Sequence, residues 1–347
     1  MIKPQDPPMT LPTLEPAEEI LATHLVWDNH AGFAFQQPQD LAELSRWRQS
    51  GIDFVSVNIG YDLEPWTRAV EAASQYRHWI RQNHQHFVQV ETIADVLAAK
   101  SSGRLAISFD LEGMDALNGD LGMVDVYYRL GVRQMLFAYN RNNLAGGGCH
   151  DSDGGLTPFG REVVREMNRV GMLVDCSHCS HRTSMEVMEL SHSPVIFSHS
   201  NARGLHDHER NIRDDQIEAC AAQGGVIGVT GVSLFLGNGQ DLTAQMLAHI
   251  DYLCQKVGPQ HVGLGLDSIL MCQKEDGPEN ESLGDRAKLY WPPAQYPDGK
   301  LDFIRPEVVP DLARGMIERG YAAADIAAIL GGNFARLAGL VWKPVNS

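Results

Sequence analysis

Apolar residues in this chain fall into short continuous runs, and these alternate with stretches of helical spacing from about residue 25 onward. The runs predict strands at Leu25–His30, Phe54–Ile59, Leu105–Leu111, Gln134–Tyr139, Leu173–Cys176, Val195–Ser198, Val226–Val232 and Val262–Asp267. Most are β-branched and lack the alternation of a half-exposed strand, as parallel strands buried on both faces do. Between them, Arg161–Val170 places Val163, Val164, Met167 and Val170 at helical spacing and stops at Gly171, and Gln216–Gln223 stops at Gly224-Gly225. Eight strand–helix units is the number that closes a (β/α)8 barrel, so the predicted fold class is α/β, a TIM-like barrel. An open doubly wound sheet fits less well, because no Gly-x-Gly-x-x-Gly follows the first strand and polar residues end most of the strands.

The expected organisation is an N-terminal extension over 1–23 and a single barrel over 24–347. Residues 269–304 form a long interruption carrying Tyr290-Trp291-Pro292-Pro293-Ala294-Gln295-Tyr296-Pro297, which reads either as a lid or binding loop or as a surface excursion. Ala322–Val341 reads as two helices closing the barrel, with Gly331-Gly332-Asn333 between them.

The formal charge of -16 argues against nucleic acid or an anionic membrane surface as partner and favours a small-molecule substrate. Met1–Pro8 lacks a charged region followed by an apolar one, and no stretch reads as long and apolar enough to span a bilayer, so a cytoplasmic enzyme is expected. Six cysteines in a chain of 347 residues do not make a disulfide framework. Cys176 and Cys179 form a C-x-x-C, but Cys176 lies in an apolar strand and no second pair completes a four-sulfur site, so buried, reduced thiols are expected.

Two of the predicted strands end alike, in Val174-Asp175-Cys176-Ser177-His178 and Val195-Ile196-Phe197-Ser198-His199, with the helical stretch His181–Ser193 between them. A right-handed crossover makes such strands parallel neighbours and brings both histidines to the C-terminal edge of the sheet, where barrels carry their sites. The other strand ends add Asp28 and His30, Asp110 and Glu112, Tyr139 and Asn140, and Asp267. Three histidines and several carboxylates at one rim match the ligand chemistry of a one- or two-metal hydrolase. His150, His181, His192, His206 and His208 crowd the same region without standing at strand ends and are read as structural or solvated.

The segments around His178 and His199, together with Arg210-Asn211-Ile212, closely resemble the membrane (renal) dipeptidase family, peptidase family M19. Asp110-Leu111-Glu112-Gly113, Tyr139–Asn143, Gly155–Gly160, Met167–Met172, Gly263–Asp267 and Gly331–Phe334 also fall in that family's order, so the likeness runs from about residue 24 to 343. The resemblance implies a TIM-like barrel with two zinc ions that hydrolyses dipeptides, tolerates a D-residue at the C-terminal position and in some members is a homodimer. It also implies that Glu112 bridges the metals, that His178 and His199 complete one site, and that His30 serves the other. Asp267 then matches the acid/base aspartate, Arg210 the arginine that stabilises the tetrahedral intermediate, and Tyr139 a substrate-contacting position. The alternative for Arg210 is a surface ion pair beside Glu209.

The chain departs from that pattern where the family's His-x-Asp is His30-Ala31-Gly32, and where Ile269 replaces a second aspartate after Asp267. Asp28, two residues before His30, is either a substitute ligand or a group that orients the ligands. One well-held zinc, on Glu112, His178 and His199, and a weak or empty second site are expected. The leading activity is a metal-dependent dipeptidase that uses a metal-activated water. An amidohydrolase-like enzyme on another small amide and a non-hydrolytic relative are the alternatives.

Overall fold

The computed structural model describes residues 16–33, 41–237, 239–270, 284–297 and 301–345. Its strands are β1 (Trp27–Phe33), β2 (Phe54–Tyr61), β3 (Phe87–Gln89), β4 (Leu105–Glu112), β5 (Val132–Leu136), β6 (Leu173–Asp175), β7 (Val195–Phe197), β8 (Val226–Val229), β9 (Val262–Leu264) and β10 (Ser268–Leu270). They form one parallel sheet in the order β10-β1-β2-β4-β5-β6-β7-β8-β9. The added strand β3 pairs with Leu105–Ile107 of β4, ahead of the part of β4 that pairs with β5.

The predicted eighth strand is broken in two, and the break completes the circuit: β9 pairs with β8, β10 pairs with β1, and Gly265-Leu266-Asp267 links them. The Asp267 amide donates to the His30 carbonyl at 3.0 Å and the Leu266 amide to Asp28 Oδ1 at 2.8 Å. Asp267 takes a left-handed backbone (φ 57°), which no continuous strand accommodates. The fourth predicted strand likewise ends at Leu136, three residues before Tyr139.

Trp27, Phe54, Ala106, Leu173, Ile196 and Val226 share one apolar cluster with Phe334, Leu337 and Val341 of the helix Asn333–Val341, which plugs the base of the barrel. Neighbouring strand residues such as Val55, Ile107, Val174 and Ile227 belong to a second cluster with the surrounding helices. This two-sided burial explains the unbroken apolar runs. The helix Pro158–Val170 ends where predicted, at Gly171 with φ 90°. Pro16–Thr23, within the expected extension, is a helix whose Ala17 and Ile20 join the larger cluster; residues 1–15 lie outside the described residues.

Further expectations change toward the C-terminus. Ala323–Ala327, the π turn Ala328–Gly332 and Asn333–Val341 follow without a gap, so the C-terminal pair is one helical run. Asn333 is held inside it by tertiary contacts, donating to the Pro259 and Val262 carbonyls at 2.8 Å each. Contrary to the expectation that no stretch is long and apolar enough to span a bilayer, this 19-residue run is so by length and composition, because its apolar residues, among them Ile326, Leu330, Phe334 and Leu337, are packed into the core. Part of the predicted loop 269–304 lies outside the described residues (271–283 and 298–300); within it, Gly284–Tyr290 is helical.

Candidate metal centre

The ends of β6 and β7 are fastened to each other before they deliver their histidines. Asp175 Oδ1 accepts from the amides of Ser177 (2.9 Å) and Ser198 (3.0 Å), and Ser177 Oγ accepts from the His199 amide (3.2 Å). His178 and His199 thus meet, Nε2 to Nε2, at 2.9 Å. Glu112, the last residue of β4, brings Oε1 to 3.2 Å from each of those nitrogens and 3.5 Å from His30 Nε2. His30 stacks on His199 with ring centroids 3.9 Å apart, and Asp267 Oδ1 stands 3.6 Å from His30 Nε2. Among the described residues, His30, Glu112 and His199 form the group whose ligand atoms lie within 4.8 Å of one another. The two half-sites expected from the sequence therefore share one carboxylate oxygen and one pair of stacked rings.

The opposite nitrogens are all engaged. His30 Nδ1 faces Asp110 Oδ2 (3.3 Å), His178 Nδ1 faces Asn140 Oδ1 (2.7 Å) and His199 Nδ1 faces Ser198 Oγ (2.7 Å). Asp110 is itself held by Ser56 Oγ (2.7 Å) and Asn58 Nδ2 (3.1 Å). Ring orientation through Nδ1, with Nε2 turned inward, is the usual arrangement around a metal ion. His30 Nε2 is buried without a hydrogen-bond partner among the described residues. Asp110, Asn140 and Ser198 carry this orientation; the strand-end pattern brings the first two to the mouth without giving them a role, and nothing local singles out Ser198.

The electrostatics also ask for a cation. Burial pushes the Glu112 carboxyl up to about 8, against the opposing pull of His30. Burial alone lowers His30, but Asp110, Glu112 and Asp267 outweigh it and raise the imidazole to about 10. Burial, with the positive charges of Arg210 and His30 adding to it, holds His178 and His199 well below the usual range, so both are neutral ligands-in-waiting. Burial raises Asp267 too, opposed by His30 and Arg210. A buried set of imidazole nitrogens and carboxylates with too little positive charge of its own fits a zinc-like ion.

Asp28 is turned away from this centre. Its Oδ1 accepts from the amides of Leu266 (2.8 Å) and His30 (3.4 Å), and its Oδ2 from Trp47 Nε1 (2.8 Å). The same-side geometry expected from an ideal strand fails because the β1–β2 register shifts between Asp28 and Ala31. Asp28 instead ties β1 to the β9–β10 link, and burial pushes its carboxyl up to about 7.

Arg210 is buried, and Glu209 pairs with Arg203 (3.0 Å), so the surface ion pair does not form. Asn201–Ile212 folds back on itself, with the Ile212 amide on the Asn201 carbonyl (2.9 Å), and lays the guanidinium on the His199 carbonyl (2.7 Å) and Ser200 Oγ (3.0 Å). Arg210 Nε is buried without a partner among the described residues. Tyr139 packs on His178 (ring centroids 4.4 Å), edge-on to Tyr61. Of the crowding histidines, His181 pairs with Asp215 on the surface, whereas His150 and His208 hold the segment after Tyr290, through Tyr296 Oη (2.9 Å) and the Gln295 carbonyl (3.2 Å). Cys176 and Cys179 are buried free thiols, as expected.

Residues 17–278 match the family described as membrane dipeptidase, peptidase family M19. An uncharacterized dipeptidase of Schizosaccharomyces pombe is 37% identical over 205 residues, covering 56% of this chain and 49% of that protein. The chain thus spans about half the length of the curated relatives it matches. Among solved structures, an amidohydrolase from Pseudomonas aeruginosa superposes with a TM-score of 0.83 at 29% identity, over 95% of this chain and 99% of that one. A metallopeptidase from Rhodobacter sphaeroides, liganded with a phosphinate mimic of the dipeptide L-Ala-D-Ala, has the same fold, with a TM-score of 0.72 at 20% identity over 92% and 100% of the two chains.

Proposed function

The chain belongs to the membrane dipeptidase family, peptidase family M19, and on that premise we propose that it is a metal-dependent dipeptidase acting on small dipeptides. The observation that carries this reading is the convergence of three imidazole Nε2 atoms on one oxygen of Glu112, each ring fixed from behind. Glu112, His178 and His199 would hold one ion and His30, with Glu112, the other; zinc bound there would supply Lewis-acid polarisation of the scissile carbonyl and would activate water near neutral pH. Asp267 takes the proton from the attacking water and returns it to the leaving amine as the C–N bond breaks; its raised carboxyl pKa suits that exchange. Arg210, whose Nε–H has no partner among the described residues, steadies the charge that develops on the carbonyl oxygen. The phosphinate dipeptide mimic bound by the Rhodobacter enzyme supports a dipeptide substrate with a D-residue at its second position.

One ion is held firmly and a second weakly, since Gly32 offers no ligand where the resemblance implies an aspartate. A cytoplasmic homodimer is part of the proposal, and light scattering checks its oligomeric half. The decisive experiment pairs metal analysis of protein purified without chelator with hydrolysis of L,L and L,D dipeptides under added zinc, manganese or cobalt. Close to one zinc per chain and turnover of dipeptides are expected; failure to turn over any dipeptide with any metal overturns the reading. The 29% identity to an amidohydrolase along nearly the whole chain favours a second reading, hydrolysis of another small amide at the same centre. Turnover confined to non-peptide amides in that panel selects it.

A further inference from the structure

Asn140 follows Tyr139, is fully buried and has a left-handed backbone (φ 62°). The two ends of its amide point at different parts of the molecule. Nδ2 donates to the carbonyl of Tyr290 (3.0 Å), where the helix Gly284–Tyr290 passes into Trp291–Pro297. Oδ1 accepts from His178 Nδ1 (2.7 Å) and more weakly from Cys149 Sγ (3.4 Å). A backbone carbonyl can only accept, so the Tyr290 contact decides which end of the amide is nitrogen, and the oxygen must face His178. An oxygen there requires the imidazole proton on Nδ1. The His178 Nε2 is then a bare lone pair aimed at Glu112 and His199.

The segment so anchored lies beside the centre. Tyr290 and Trp291 pack with Tyr61 and Tyr139, the latter resting on His178. Further ties hold it, Tyr296 to His150, the Gln295 carbonyl to His208 and, at 3.5 Å, the Glu209 amide to Gln295 Oε1.

We propose that Asn140 is a positioning residue with two simultaneous tasks: its amide oxygen sets His178 in the metal-binding tautomer, and its amide nitrogen anchors residues 284–297 beside the centre. This rests on the metal-centre reading above and adds to it the link between ligand and covering segment.

Two substitutions separate the tasks. Asn140→Asp keeps an acceptor toward His178 and loses the donor to Tyr290; Asn140→Leu loses both at similar volume. Zinc affinity is measured by competition with a chromophoric chelator, and exposure of the segment by hydrogen exchange read by mass spectrometry. Asn140→Leu is expected to bind zinc ~10–100-fold more weakly, the range for groups that orient a ligand. Asn140→Asp should bind within about threefold of the original protein, a rescue that a purely structural role would not give. Both should exchange faster over 284–297. Wild-type zinc affinity in Asn140→Leu, or wild-type exchange in Asn140→Asp, overturns the proposal. Should Asn140→Leu fail to fold, weakened zinc binding by a folded Asn140→Asp overturns the ligand task. If the unsubstituted protein binds no zinc, the metal-centre reading fails by itself, and exchange in Asn140→Asp still decides the anchoring task.

Discussion

At Gly32 a Cβ would lie 3.3 Å from Asp267 Oδ1 and 3.5 Å from Ile269 Cγ1. A side chain at this position therefore points toward the edge of the centre where His30 and Asp267 stand 3.6 Å apart. Gly32→Asp is expected to raise bound zinc from about one to about two per chain in elemental analysis, because a carboxylate there supplies the missing hard ligand. An unchanged count would mean that something other than the lost ligand limits the second ion. Arg210 makes a different case. Its guanidinium contacts the His199 carbonyl and Ser200 through two terminal nitrogens, leaving Nε–H as a third donor that lysine cannot reproduce. Arg210→Lys should lower kcat by roughly 10²–10³-fold, as loss of an oxyanion donor does, with zinc content unchanged. Equal kcat in steady-state assays would remove the assigned role.

The elements of the mouth owe their placement to breaks in regular structure. Three of the four non-glycine residues with left-handed backbone among the described residues are Asn140, His178 and Asp267, each just past a strand and each at the centre. Such conformations cost about 1–3 kcal/mol apiece and persist where the surroundings hold them. The link between β9 and β10 depends on close approach to β7: a Cβ on Gly265 would sit 2.0 Å from the Ser198 carbonyl oxygen and 3.1 Å from His199 Cβ. Gly265→Ala must push the link away from β7 and displace Ser198 and His199 with it. Destabilisation of roughly 1–3 kcal/mol and weaker zinc binding are expected, read from urea denaturation and chelator competition; unchanged values in both would show that β7 yields without cost.

Across the whole molecule, a buried histidine that is not among the metal ligands adds a pH dependence of folding. His249, in the helix Leu242–Val257, accepts from the Ala202 amide through Nδ1 (3.2 Å) and faces the Leu236 carbonyl through Nε2 (3.4 Å). It is a neutral bridge between that helix and the segment leaving β7. Burial, only partly offset by the bond to Leu236, depresses it from the usual 6.5 to about 4. Between those values the unfolded chain carries a proton that the folded chain refuses. Its contribution is therefore complete above pH 6.5 and lost as the pH falls toward 4, at up to ~1.4 kcal/mol per pH unit. Urea midpoints between pH 4 and 7 should fall with acidification, and less steeply in His249→Gln, which keeps a donor and an acceptor; parallel slopes would refute the assignment. This bridge was not legible in the chain, and the contrast with what was legible has a physical basis. Burial on both faces of parallel strands imposes continuous apolar runs, so the barrel, the helix stop at Gly171 and the strand-end histidines 178 and 199 could be read directly. Such periodicity is local. It cannot say that Asn140 lies against His178 across 38 residues or that Asp110 lies against His30 across 80. Nor can it reveal that Asp28 turns to Trp47 where the β1 register slips, or that the eighth strand breaks at Asp267. The sequence by itself determined which residue types reach the mouth. Tertiary structure decided which nitrogen of each imidazole faces inward, because that depends on the hydrogen-bond partner that distant segments place behind the ring.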